Sequence, residues 1–257
     1  MASRQASSDL PRLYEELADW FHLLTAPADY AEEAAFYRRV LNEHADSPPR
    51  TLLELGAGGG NNASHMKAHL TLTLTDRSPS MLKCSRRLNP DVEHLEGDMR
   101  TLRLGRSFDA VFIHDAIMYL TDRADLRRAF ETALAHCRPG GAALFAPDHV
   151  RENFRPGTSH GGHDGTGRGL RYLQWVWDPD PSDTTYRVDF AYLLRERSSV
   201  RVEYDRHVLG LFSQAEWLGL LSDVGFEPQT VRHEFNSPDT ASGVAFVGVR
   251  PGPSSAG

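Results

Sequence analysis

Three glycines at alternate positions, Gly56, Gly58 and Gly60 in Glu54-Leu-Gly-Ala-Gly-Gly-Gly60, follow a short apolar run and precede a helix-forming stretch. Glycine accepts positive φ and lets a ligand approach the backbone closely. A ligand at such a turn sits at the carboxyl edge of a parallel sheet, near the point where strand order reverses. Alone, the pattern marks a nucleoside or dinucleotide site, or a plain strand–turn–helix link. Asp76 stands at the end of the next apolar run, where a carboxylate can accept both hydroxyls of a ribose. Gly97-Asp98-Met99 closes the run after that; Asp98 can accept from an adenine amino group while Met99 packs on the ring. A further run ends in His114-Asp115. Each Asp alone can equally be a helix cap. Their recurrence at the ends of consecutive runs points to a nucleoside ligand.

These residues need a sheet with its strand ends aligned. Residues 10–46 carry apolar residues at helical spacing and read as helices, ended by Ser47-Pro-Pro-Arg50. Strands are expected at 51–55, 70–75, 92–95, 108–114 and 142–146, with helices over 62–68, 78–88 and 125–137 and a turn at Pro139-Gly-Gly141. This alternation predicts a parallel sheet covered on both faces. The rhythm then changes. Residues 160–169, dense in Gly and His, read as a loop. Longer strands over 170–177, 184–194 and 200–209 form an antiparallel meander. A helix over 214–224 and strands over 226–234 and 245–249 complete the core. The expected organisation is a helical lid (1–48), a ligand-binding core (49–150), a β insertion (151–212) and a return to the core (213–257).

The net charge is −7, from 28 basic and 35 acidic residues among 257, which provides no footprint for nucleic acid or an anionic membrane. No apolar run has the length of a membrane helix. The polar start lacks a signal core, so a cytoplasmic protein is expected. Cys84 and Cys137 read as buried free thiols. The tail 250–257 reads as a frayed end.

Between Thr51 and Pro147 the chain resembles the Rossmann-like class I S-adenosyl-L-methionine-dependent methyltransferases. The resemblance rests on Leu53-Glu-Leu-Gly-Ala-Gly-Gly-Gly60, Thr75-Asp-Arg-Ser-Pro-Ser-Met-Leu82, Glu96-Gly-Asp-Met99, Phe108-Asp-Ala-Val-Phe-Ile113 and Leu134-Ala-His-Cys-Arg-Pro-Gly-Gly141. It implies an α/β fold with a seven-stranded, mostly parallel sheet of order 3-2-1-4-5-7-6, and an antiparallel β insertion between strands 5 and 6. It implies S-adenosyl-L-methionine as cofactor, with Glu54, Gly56, Ala57 and Gly58 toward the methionine part. Asp76 then meets the ribose, Arg77 and Met81 lie along ribose and adenine, and Gly97, Asp98 and Met99 hold adenine. His114 falls near the sulfonium. Tyr14 and Tyr30 occupy places where similar enzymes bring a tyrosine to the cofactor. One departure is the third consecutive glycine, where many relatives carry Thr or Ser; Asn61 or Asn62 can supply the polar group instead.

Methyl transfer from a sulfonium is an in-line displacement, so the protein chiefly positions and desolvates. A base is needed only if the acceptor arrives protonated. The insertion resembles that of small-molecule methyltransferases, including dimeric sugar-amine N-methyltransferases of antibiotic biosynthesis. That implies a small-molecule acceptor, with nitrogen, oxygen or carbon as the methylated atom, and a possible homodimer. His160, His163 and Asp164 are candidates for a polar cluster over the methyl, with His160, His163 and Tyr14 as candidate catalytic groups; the alternative is a solvated glycine loop. Tyr119, His160, His163, Arg168, Tyr172 and Trp175 are candidate acceptor contacts. The aromatics Tyr172, Trp175, Trp177, Tyr192 and Tyr204 form either a core or an acceptor box. Arg168, Arg171 and Arg206 are candidate partners for an acceptor carboxylate. No metal-ligand set with a recognised spacing occurs. An NAD-dependent oxidoreductase and an inactive cofactor-binding module are the competing functional readings.

Overall fold

The computed structural model describes residues 10–233, 235 and 243–252. The polar start, Glu234 and the last part of the tail, 253–257, lie outside the described residues. The N-terminal stretch forms short 3-10 turns at Arg12–Tyr14, Ala18–Trp20 and Pro27–Tyr30, a single turn α1 (Phe21–Leu24) and one full helix, α2 (Ala31–His44). This is more broken than the helical spacing predicts. Pro11 and Pro27 interrupt it, and the Arg12 and Leu13 amides are held by the Asp205 carboxylate rather than by helix carbonyls.

The core follows as β1 (Thr51–Leu55), α3 (Asn61–Met66), β2 (Thr71–Asp76), α4 (Pro79–Leu88), β3 (Glu93–Glu96), β4 (Phe108–Ile113), α5 (Arg123–His136) and β5 (Cys137–Phe145). Leu52, Leu53 and Leu55 are wholly buried, as an inner strand covered on both faces requires. Ser78 caps α4 by accepting from the Met81 amide at 3.1 Å, and Asp122 caps α5 by accepting from Asp125 at 2.8 Å. The expected turn at Pro139-Gly-Gly141 lies inside β5, where Gly140 takes φ +72° and the register with β4 shifts.

The insertion comprises β6 (Gly157–Gly161), β7 (Asp164–Gly165), β8 (Arg168–Trp177), β9 (Thr185–Glu196) and β10 (Ser199–Gly210). The Gly- and His-rich stretch is therefore largely strand: β6 and β7 both pair with β8. The chain returns through α6 (Gln214–Val224), β11 (Glu227–His233) and β12 (Gly243–Val249). The sheet order is β3-β2-β1-β4-β5-β12-β11, with β12 antiparallel to both neighbours. This is the expected 3-2-1-4-5-7-6 arrangement. One apolar cluster runs from Leu53, Val111 and Phe145 into Tyr186, Tyr192 and Leu209, so the insertion packs on the core sheet. Among the described residues no helix is long and apolar enough to cross a membrane. Cys84 and Cys137 are buried and free.

Candidate active site

A cavity of about 1400 Å³ opens along the carboxyl ends of β1, β2 and β4 and continues under the insertion. Its first half is built by backbone. Gly56, Gly58 and Gly60 all adopt positive φ, +72°, +54° and +77°. A Cβ on Gly56 would collide with Ala116 Cβ and stand 2.9 Å from Met99 Cε. Gly59 has another reason to be glycine: a Cβ there would lie 2.5 Å from Phe21 and 2.7 Å from His22 Nε2. The third consecutive glycine is thus where the N-terminal turns press on the loop, and His22 Nε2 lies 3.1 Å from the Gly59 carbonyl oxygen. Asp76 fixes the loop by accepting from the Gly58 and Ser78 amides, each at 2.8 Å. Burial raises the Asp76 carboxyl, and those two amides oppose the shift.

Glu54 lies at the floor. Its Oε2 is buried without a hydrogen-bond partner among the described residues. Burial pushes its pKa up to about 8, against the pull of the nearby His114 charge. His114 itself lies between Glu33 Oε1 and Asp115 Oδ1, 3.1 Å from each. Burial alone would lower its pKa, but the two carboxylates outweigh it and hold the ring as imidazolium. Asn62 Nδ2 donates to the same Glu33 oxygen at 2.9 Å, and Asn61 and Asn62 both line the cavity, each with its Oδ1 buried and unpaired among the described residues. Asp98 departs from the simple expectation. Its carboxylate is gripped by Arg100, which also reaches Asp125 at 2.6 Å, so an adenine amino group would share Asp98 with a guanidinium. Arg77, Met81, Gly97 and Met99 line the same half.

The second half is built by side chains from distant parts of the chain. Tyr119 donates to the Tyr14 hydroxyl at 2.8 Å and lies 2.7 Å from His207 Nδ1. His207 Nε2 is 3.2 Å from Asp205 Oδ2. Asp115 and Asp148, from the ends of β4 and β5, are hydrogen-bonded to each other. Burial and the Asp115 charge raise Asp148 well above the carboxylate range. Burial also pushes Asp115 up, yet the His114 charge brings it below its ordinary value. Tyr30, its hydroxyl 2.9 Å from Thr25 Oγ1, closes the side toward α2.

Several expected acceptor contacts lie elsewhere. Strand alternation turns Tyr172, Gln174 and Val176 inward and Trp175 outward, where it is 57% exposed beside Trp177. Trp175 is not a wall of the cavity. Neither is Arg168, whose guanidinium stacks 3.9 Å over the Trp20 ring. Asp164 is bound by Arg171 and Arg195 on the outside, so the cluster of His160, His163 and Asp164 does not form. His160 and His163 reach the cavity singly, at its rim; His163 Nε2 is 3.2 Å from Asp29. Arg206 is engaged by Asp189 at 2.6 Å. Tyr192 is wholly buried and Tyr204 faces outward, 53% exposed.

Sequence reasoning missed Asp148, Glu33, Asp205 and His207. Asp148 was open to the argument applied to Asp76, a carboxylate just past an apolar strand. Asp205 and His207 stand two apart, on the inward face of β10.

The residues of the first half fit S-adenosyl-L-methionine. Glu54 offers an unpaired buried carboxylate to an ammonium, and the glycines leave room for the chain. Fold and site together define a methyltransferase of the Rossmann-like type. Residues 52–141 match the family model described as a methyltransferase domain. A dTDP-3-amino-3,6-dideoxy-alpha-D-glucopyranose N,N-dimethyltransferase of Streptomyces fradiae is 35% identical over 131 residues, 50% of this chain and 51% of that protein. The chain thus matches about half the length of that relative. A dTDP-3-amino-3,4,6-trideoxy-alpha-D-glucopyranose N,N-dimethyltransferase of Streptomyces venezuelae is 27% identical over 86% of this chain and 91% of its own. The X-ray structure of a sugar N-methyltransferase from a Streptoalloteichus species superposes with a TM-score of 0.77 at 27% identity, covering 98% of each chain. Residues 52–141 carry a methyltransferase domain, and over its length the chain is similar in sequence and fold to S-adenosyl-L-methionine-dependent methyltransferases that act on small molecules, likenesses that support S-adenosyl-L-methionine as the cofactor.

Proposed function

We propose that this enzyme methylates the amino nitrogen of a nucleotide-linked amino sugar. One observation carries the reading. The likeness to the Streptomyces venezuelae dimethyltransferase runs over 86% of the chain, through the insertion that walls the acceptor chamber as well as the cofactor-binding core. The chamber's chemistry supports it, since Asp115 and Asp148 suit a cationic amine better than a neutral hydroxyl. S-adenosyl-L-methionine supplies an electrophilic methyl group on a positively charged sulfur. The chain's own residues do the rest. Glu54 holds the cofactor's ammonium and Asp76 its ribose. Met81 and Met99 pack against its adenine. The N-terminal turns close over the glycine loop through the contacts of His22 with Gly59 and of Ser78 with the Tyr14 carbonyl, at 3.1 and 2.5 Å, and exclude water. Tyr14, Tyr119 and Tyr172 face the acceptor.

The test is turnover on a panel of nucleoside diphosphate sugars that carry an amine, or a hydroxyl at the same carbon. Mass increments of one and two methyl groups on the amines alone are expected; transfer to the hydroxyl sugars alone would overturn the nitrogen assignment.

We also propose that a second copy of the chain covers the outer face of the insertion. Leu173, Trp175, Leu193, Val202 and Tyr204 form an exposed apolar surface there, unusual for a monomer. Light scattering is expected to give a dimer for the native chain and a monomer for Trp175→Lys. A native monomer would refute it.

A further inference from the structure

We infer that the Asp115–Asp148 carboxyl pair binds the acceptor's ammonium group. The inference rests on the reading that the methylated atom is an amine nitrogen.

The pair is assembled by the sheet. Asp115 stands two residues beyond β4 and Asp148 three beyond β5. The two strands are paired at their ends, Ile113 opposite Phe145, so the two carboxyl groups meet at the carboxyl edge. Both open into the cavity. Asp148 is exposed there, and the Asp115 side chain is 44% exposed. Two adjacent carboxyl groups share a proton, because two adjacent negative charges are mutually unfavourable. The His114 imidazolium at 3.1 Å decides which one keeps the charge: Asp115 is the carboxylate and Asp148 donates to it.

Burial holds Glu54 and Asp148 as neutral acids, and burial keeps Tyr14, Tyr186 and His149 neutral too. Asp205, beside His207, is a carboxylate farther along the cavity. Beside the pair itself, the Asp115 carboxylate faces the acceptor side. An alkylammonium neutralises it; a hydroxyl does not.

The test is calorimetric titration of the S-adenosylhomocysteine-loaded enzyme with an amine acceptor, in two buffers of different ionisation enthalpy near neutral pH. For the native enzyme, binding with no net proton passed to the buffer is expected, because the amine enters as the ammonium and keeps its proton. In Asp115→Asn the amine is expected to bind about tenfold or more weakly, as for a lost charge-assisted hydrogen bond, and to release a proton to the buffer as it binds. Asp148→Asn should show a smaller loss of the same kind, because an amide can still donate to Asp115. S-adenosylhomocysteine affinity within about twofold of native in both variants reports an intact fold. Unchanged amine affinity and proton count in both variants would overturn the inference. So would a loss confined to S-adenosylmethionine relative to S-adenosylhomocysteine, which would assign the pair to the sulfonium. Failure of the nitrogen reading looks different: the native enzyme would turn over hydroxyl acceptors and leave amines untouched.

Discussion

The two halves of the cavity are built by different means. In the cofactor half, position comes from backbone: three left-handed glycines, an Asp76 carboxylate clamped by two amides, and strand ends set in parallel register. All of it lies within about fifty residues of chain, from Glu54 to Met99. In the acceptor half, position comes from side chains that meet across long separations. Tyr119 contacts Tyr14 and His207, 105 and 88 residues away. A backbone-built site tolerates little substitution at its glycines but is insensitive to surrounding side chains. A side-chain network can be re-specified one residue at a time, which suits the half that distinguishes acceptors.

The comparison is broken most sharply at Gly56. Alanine there must hold φ near +72° and place its Cβ against Ala116 and Met99. The left-handed backbone costs about 1–2 kcal/mol. Overpacking adds about 1–3 kcal/mol. Gly56→Ala is therefore expected to lower S-adenosylhomocysteine affinity about a hundredfold in a calorimetric titration. A loss under about tenfold would mean that the loop yields and that backbone geometry does not govern this half.

Glu54 gives a smaller effect with a pH signature. Its carboxyl titrates near 8 in the folded chain because burial disfavours the charge. Unfolded, it returns to the ordinary glutamate range near 4.3. Between those values the folded state binds the extra proton. The stability linked to it is complete below the unfolded pKa and is lost as pH rises through about 8. Thermal unfolding of the ligand-free enzyme should show Tm falling over this window, with a flatter profile in Glu54→Gln. A cofactor ammonium opposite Glu54 reverses the preference, so binding near neutral pH should release a proton. Glu54→Gln should abolish that release and weaken S-adenosylhomocysteine about tenfold or more, as for a hydrogen bond to a charged partner. Parallel Tm profiles for the two proteins would show that the carboxyl is not buried as a neutral acid.

The same contrast explains what could be read from sequence. Strand order, the glycine loop and Asp76 were legible because each is a local rule applied at a strand end. The third glycine was not, since its cause, the approach of Phe21 and His22, comes from a segment some forty residues earlier. The insertion misled more deeply. On β10 the apolar residues Val202, Tyr204 and Val208 face outward while Asp205 and His207 face the cavity. Alternation marks two faces but not which is inside. An aromatic such as Trp175 therefore passed for a pocket wall. Glycine and histidine density made β6 look like a loop, because composition says nothing of the β8 edge with which it pairs.

The smallest effects are expected at His160 and His163, the residues whose composition drew most attention. His163 is anchored by its own amide to the Leu23 carbonyl, 2.8 Å, and its ring meets Asp29 in a partly exposed pair. Such pairs contribute about 0.2–1 kcal/mol. His160 sits on β6, exposed at the cavity rim. Neither ring joins the Tyr119–His207 network or the Asp115–Asp148 pair, and the one ring contact among the described residues, His163 with Asp29, lies at the rim. His160→Ala and His163→Ala should each leave kcat/KM for the amine acceptor within about twofold of native, the range of ordinary surface substitutions. A larger loss at His163 carried by KM would mark the rim as an acceptor contact and extend the side-chain-built half outward. A tenfold fall in kcat for either variant, with S-adenosylhomocysteine affinity unchanged, would place a catalytic group at the rim. The acceptor half would then be governed by a loop-like strand edge rather than by the ends of β4 and β5.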